Sequence, residues 1–277
     1  MTAKIVSSFV AVLLLIGALN SRAQSTNAAP SPEAQFRQLV QGIQMKAKSG
    51  ENTEADYADE IKTFDRLIAA TKGTNNELAA KIEYMKSILY VELLNNEDKA
   101  AEILHQLVAD FPATTIAQEA QNAVHVMDAK KIQETLAPAT VFPDFSVKDT
   151  DGKPLSVSAF KGKVVLLDFW ATWCPNCVQQ MPNVMALYQK HHKDGFEIIG
   201  VNMDSEPAAL AAYLKKAGGM TWPQYFDGGR WTNALAVKYG VTAIPFTVLI
   251  GPDGRIIGKN LAGRELEYSL LATLPKK

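Results

Sequence analysis

The only two cysteines of this 277-residue chain stand together as Cys174-Pro175-Asn176-Cys177, between an apolar run, Val164 to Phe169, and a helix-forming stretch, Pro175 to about His192. This placement restricts the fold more than any other feature of the chain. The apolar run reads as a buried strand, and a second such run, Phe196 to Val201, follows the helix. Strand, helix and strand make a βαβ unit with a parallel pair, the centre of an α/β domain. Two thiolates are too few for a tetrahedral all-cysteine metal site and too few for a stabilising disulfide framework, so no metal site is expected. A bridge across so short a loop constrains the unfolded chain little, which argues against a purely structural disulfide.

The pattern on either side divides the chain. Downstream, Glu206 to Lys216 reads as a helix, Phe246 to Ile250 and Arg255 to Gly258 as an antiparallel hairpin turning at Gly251-Pro252-Asp253-Gly254, and Arg264 to Leu274 as a closing helix. Upstream of about Gln133 strand signals are nearly absent. The sets Phe36/Leu39/Val40/Ile43, Tyr57/Ile61/Phe64/Leu67/Ile68, Leu78/Ile82/Met85/Leu89, Ala100/Ile103/Leu104/Leu107/Val108 and Ile116/Ala120/Ala123/Val124/Met127 each fall on one helical face. Thr53 with Asp56, Thr74 with Glu77 and Asn95 with Asp98 are candidate helix starts, and Gly73 and Pro112 candidate stops. His105 to Pro112, with Ala117 and Ala120, resembles the second half of a tetratricopeptide-type hairpin, which leaves both an irregular bundle and a repeat array open. The expected organisation is an export leader over 1–23, a polar linker over 24–32, an all-α domain over 33–135, a linker over 136–140 containing Ala137-Pro138-Ala139-Thr140, and an α/β domain over 141–277.

With 47% hydrophobic and 21% charged residues the chain has core material for two domains. Its net charge of -1 gives no basic field of the kind that draws a protein to nucleic acid. Lys4, the apolar run Ile5 to Leu19 and the small residues ending at Ser21-Arg22-Ala23 have the three-part pattern of an export signal with cleavage near Ala23. The run is shorter than the roughly 20 residues that span a bilayer, so membrane contact is expected only through this segment if it is uncleaved. An exported protein reaches an oxidising compartment, where a dithiol stays reduced only if another protein reduces it.

At a helix N-terminus the unpaired amide N–H groups and the positive end of the helix dipole favour the thiolate of Cys174. Cys177, one turn on and less exposed, is placed to attack a mixed disulfide formed by Cys174. Trp173 is read as a flat apolar surface flanking the reactive sulfur, with core packing the alternative for Trp170. His191 and His192 are read as surface residues at a helix C-terminus, and Gly228-Gly229-Arg230 as a loop. No cofactor beyond the dithiol is required.

Asp168-Phe169-Trp170-Ala171-Thr172-Trp173-Cys174-Pro175-Asn176-Cys177 resembles the active-site segment of the thioredoxin superfamily, and of its exported TlpA/ResA-like branch in particular. Phe142-Pro143-Asp144-Phe145, Asp151-Gly152, Phe160-Lys161-Gly162-Lys163 and Ile244-Pro245 belong to the same likeness, which covers about Thr140 to Leu274. It implies a thioredoxin-like fold, a mixed sheet flanked by helices, and a thiol–disulfide oxidoreductase that reduces disulfides in exported proteins, with a membrane thiol reductase as the candidate electron source. It implies further that Ile244–Pro245 is cis and, with Pro175, faces an incoming peptide; a trans proline opening an edge strand is the alternative. Asp168 falls where thioredoxins carry a buried acid that takes the proton of the second cysteine; a structural or solvated Asp is the alternative. Two departures stand out: the strand Phe196 to Val201 lacks the lysine that accompanies this acid in thioredoxin, and Gln180 replaces the acid that often precedes Met-Pro in the branch. Two other functions fit the sequence less well. A peroxide reductase calls for a lone peroxidatic cysteine behind an upstream Thr and Pro, unlike Trp-Cys-x-x-Cys, and a scaffold protein using its helical half to recruit partners has no need of an intact dithiol.

Overall fold

The computed structural model describes residues 29–274, so the leader read in 1–23 and most of the polar stretch 24–32 lie outside the described residues. The chain forms two compact units that divide between Met127 and Asp128.

Five helices occupy residues 32–135 among those described: α1 (Pro32–Lys48), α2 (Ala58–Thr71), α3 (Asn76–Glu92), α4 (Glu97–Asp110) and α5 (Thr115–Thr135). Their apolar faces are those of the periodicity: Phe36, Val40 and Ile43 of α1 pack with Phe64 and Leu67 of α2 and with Ile82, Met85 and Leu89 of α3. The central helix α3 also buries Ala79 and Ala80 against Leu104 and Leu107 of α4 and Ala120 of α5, so apolar residues run around most of its circumference. Two starts differ by one residue from expectation. Asn75, rather than Thr74, caps α3 by accepting the N–H of Leu78 at 3.1 Å, and Asn96, rather than Asn95, caps α4 by accepting that of Lys99 at 3.0 Å. In both cases the amide oxygen at the later position is the one in reach of the third helical N–H. Thr53 and Asp56 do bond reciprocally, but a turn intervenes before α2 begins at Ala58.

In the second unit a five-stranded sheet runs in the order β5 (Gln224–Phe226), β4 (Phe196–Asn202), β3 (Val164–Trp170), β6 (Phe246–Ile250), β7 (Ile256–Lys259). β3 is parallel to β4 and antiparallel to β6, which makes the sheet mixed. Every residue of β3, β4 and β6 is buried, in keeping with their mostly apolar composition, and Asp168, Glu197, Asn202 and Thr247 are the polar residues carried in with them. The remaining elements are α6 (Pro175–His191), α7 (Pro207–Ala217), α8 (Ala234–Lys238), α9 (Gly263–Thr273) and a separate antiparallel pair, β1 (Val147–Lys148) with β2 (Pro154–Leu155). This is the thioredoxin-like arrangement. β1, β2, β5 and α8 went unread in the sequence because they are too short to display a period.

The two units part inside α5, ahead of the linker expected at 136–140. The last turns of α5 are tied into the second unit: Gln133 donates its side-chain N–H to the Gly240 carbonyl, Lys259 donates to the Gln133 carbonyl, and Leu136 lies in the core. Gly240 has φ +62°, and a Cβ there would stand 2.5 Å from the Ala129 carbonyl oxygen, so only glycine permits this approach. Nor do 137–140 hang free. Ala139 donates to Ile256 O at 2.7 Å and Ile256 to Thr140 O at 2.9 Å, satisfying backbone groups that the edge strand β7 otherwise leaves open.

Candidate active site

Cys174 follows the end of β3 by a short turn and is itself the N-cap of α6, with extended backbone at φ -94° and ψ 106°. Pro175 occupies the first helical position, where its fixed φ suits the helix and its missing N–H costs nothing. The N–H of Cys177 points back at Cys174 Sγ, 3.2 Å away, so sulfur takes the place that a serine or aspartate oxygen has in an ordinary cap. A thiolate at this point receives that N–H and the positive helix terminus together. Cys174 and Cys177 are joined as a disulfide, and both are buried, at 4% and 2% exposure. Cys174 is thus less exposed than its sequence position implied: in the disulfide its sulfur is bonded to Cys177 and lies 3.8 Å from the Ile244 carbonyl oxygen.

The Ile244–Pro245 bond is cis. Pro245 leads into β6 and lines, with Asp168, Cys177, Gln180 and Thr247, a cavity of about 20 Å³. That volume accommodates one water molecule. Asp168 is held in β3 between Gly200 of β4 and Thr247 of β6. Loss of solvation in this place pushes its carboxyl up to about 7. No lysine lines the cavity, and Gln180, standing where relatives of the branch often have an acid, does; Asp168 is the cavity's one carboxyl among the described residues.

The two tryptophans before the cysteines have separate surroundings. Trp170 is fully buried in the core, with its indole N–H donated to Gln224 Oε1 at 3.0 Å. Trp173 is 41% exposed and meets Trp231, itself 39% exposed, edge to face at 5.9 Å, while the Arg230 guanidinium lies 5.1 Å from the Trp173 ring centre. Two residues that position this region, Asp204 and Asp227, have no local signature in the sequence. Asp204, just past β4, accepts both the N–H (3.1 Å) and the hydroxyl (2.9 Å) of Thr172, and its other oxygen accepts Asn202 Nδ2 at 2.9 Å. Asp227 accepts the N–H groups of Gly229 and Ala234, the Asn233 amide and the Tyr225 hydroxyl, which fixes the loop carrying Arg230 and Trp231. The one signal available for Asp204 was its place at the carboxyl end of a parallel strand, where sites in α/β sheets gather.

His191 corrects its reading as a surface residue. It is buried, with Nδ1 3.4 Å from Asp194 Oδ2, because it continues the core-facing series Val184, Leu187, Tyr188 of α6. His192, next along, is half-exposed. Among the described residues no group of His, Cys, Asp and Glu side chains is placed to hold a metal ion.

Comparison with known proteins places the chemistry. The Redoxin family matches residues 137–271. The thiol-disulfide oxidoreductase ResA of Bacillus thuringiensis subsp. konkukian is 34% identical over 134 residues, covering 48% of this chain and 75% of that protein. ResA of Bacillus subtilis is 32% identical over 125 residues, covering 45% and 68%. Among solved structures, the thioredoxin domain of a thiol-disulfide oxidoreductase from Bacteroides vulgatus aligns with a TM-score of 0.46 and 27% identity over 50% of this chain and 99% of that one. The Redoxin match spans the strand that carries Asp168, the helix that Cys174 caps and the cis proline that faces them, and with ResA covered over three quarters of its length the chain belongs to the ResA-like thiol–disulfide oxidoreductases of the thioredoxin superfamily.

Proposed function

We propose that this oxidoreductase acts outside the cytoplasm as a reductant of disulfides in exported proteins. The observation that carries the reading is the joint placement of Cys174 at the helix cap, where a thiolate is favoured, and of Cys177 on a one-water cavity shared with Asp168. In the dithiol form the Cys174 thiolate attacks one sulfur of a client disulfide. That S–S bond breaks, a Cys174–client bond forms, and the other client sulfur leaves as a thiolate that takes up a proton. Cys177 then passes its proton to the Asp168 carboxylate across the cavity they share, by way of a water taken up there, and attacks Cys174 Sγ, which releases the second client sulfur as a thiolate. Two electrons have moved to the client, and the chain is left as the Cys174–Cys177 disulfide. A carboxyl near 7 is about half ionised at neutral pH and can take and return that proton.

A dithiol donor must restore the reduced form, and a membrane thiol reductase is the class we propose. The helical unit, with its tetratricopeptide-like segment around 105–120, is proposed to hold either the client or that donor. Trp173, Pro175, Ile244 and Pro245 are proposed to receive the client's chain beside the sulfur.

Equilibration of the Cys174–Cys177 pair with glutathione tests the direction. A dedicated reductant is expected near the thioredoxin value of about -270 mV, and a value near about -120 mV would reverse the assignment to an oxidant.

A further inference from the structure

We infer that Arg230, Trp173 and Trp231 form a specificity surface that selects client segments carrying an aspartate or glutamate close to the cysteine under attack. The inference rests on the thiol–disulfide reading above and adds the kind of client. A single exposed apolar side chain is ordinary on a protein surface and needs no explanation. Trp173 and Trp231 are an exposed pair of aromatic rings in contact with one another, and they meet next to Cys174. Exposed tryptophans in contact offer a large, stiff apolar area at little entropic cost to whatever docks there.

Arg230 gives this area a sign. It is an exposed residue held at φ +50°, a backbone region unfavourable for a side chain with a Cβ, and it is kept there by its neighbours. Gly229 before it cannot carry a Cβ, which would stand 2.8 Å from the Asn233 nitrogen. Asp227, the nearest acid in sequence, has both oxygens engaged by the loop: Gly229 N–H at 2.9 Å and Asn233 Nδ2 at 2.9 Å on one, Ala234 N–H at 2.8 Å and Tyr225 hydroxyl at 3.0 Å on the other. Arg230 makes no ion pair among the described residues. Its guanidinium lies over the Trp173 ring instead. The N–H groups along the edge of that guanidinium are engaged by no carboxylate among the described residues, and their planar fork suits two parallel bonds to a carboxylate brought by a client. A client joined to Cys174 and running extended at about 3.3 Å per residue brings a side chain two to four positions from its cysteine within reach of that edge.

The test uses the full chain and three disulfide-bridged peptides identical except at one position, three residues from the cysteine, which holds Asp, Asn or Lys. Expected for the wild type is a kcat/KM order of Asp, then Asn, then Lys, with about fivefold between the extremes, the scale of one half-exposed ion pair. Arg230→Glu is expected to invert that order, and Arg230→Lys to keep it with a smaller ratio, because an ammonium lacks the planar fork. Taking the ratio of peptides within each variant cancels any general loss of activity. Equal rates for all three peptides in the wild type, or an Asp preference that survives Arg230→Glu, overturns the inference while leaving the reductase reading intact. Failure to reduce any of the three, the uncharged Asn peptide included, overturns that reading and the inference with it.

Discussion

Cys177→Ser is expected to arrest the chain as a covalent adduct with its clients, whereas Cys174→Ser is expected to form no adduct at all. The asymmetry follows from α6. Only Cys174 sits at the cap, with the N–H of Cys177 3.2 Å from its sulfur and the helix terminus behind it, so only Cys174 gains thiolate character from the fold. Removing either sulfur breaks a two-step exchange whose parts act as a unit, and multiple turnover on a disulfide protein such as insulin should fall by about a thousandfold in both variants. The distinction lies in a non-reducing gel: Cys177→Ser should run as a mixed disulfide that dithiothreitol dissolves. Adducts of equal yield on the Cys174→Ser variant would mean that Cys177 is the attacking group and that the cap assigns the wrong nucleophile.

Asp168→Asn is expected to make the protein more stable and slower, with a pH dependence that identifies the cause. Burial raises this carboxyl from an ordinary 3.8 to about 7, so between those values the folded state holds a proton that the unfolded state has released. The wild type therefore loses stability as pH rises from about 4 to about 7 and loses no more from this source above it. At about 1.4 kcal/mol per pH unit the full penalty is at most about 4 kcal/mol. Asparagine carries no such charge. Urea unfolding of the oxidised forms should show the variant and wild type alike near pH 4 and the variant more stable by about 2 to 4 kcal/mol at pH 8. Release of client from a preformed mixed disulfide should meanwhile slow by about a hundredfold, the usual effect of losing a positioned base. A stability gap that does not change with pH would show that Asp168 does not titrate in this window.

Some of this was plain in the sequence, and some had no local trace. The strand Val164–Trp170, the helix from Pro175 and the strand Phe196–Asn202 were legible because long apolar runs flank an abrupt helix start. The apolar faces of α1 to α4 were legible for a similar reason, since one period repeats over several turns. The cis proline and the buried acid came with the family likeness rather than from spacing. What escaped was whatever depends on residues far apart in the chain meeting in space. Asp204 and Asp227 read as ordinary loop acids until Thr172, Asn202, Asn233 and Tyr225 are seen around them. Trp231 and Arg230 gain meaning only from Trp173, which lies on the other side of two strands in the sequence. His191 shows the converse, in which a place at the helix C-terminus suggests a surface residue while the heptad spacing from Val184 sets it on the buried face.

The hold of Asp204 on Thr172 sets the mobility of the segment entering the cysteines. Both the amide and the hydroxyl of Thr172 are committed to a carboxylate that is itself buried and braced by Asn202. In deuterated solvent the Thr172 amide should therefore exchange on the slow timescale of the central strands, although the indole beside it is in contact with water. The same protection before and after reduction would mean that the approach to the sulfurs is rigid in both redox states, so that turnover reorders almost none of the backbone leading to them.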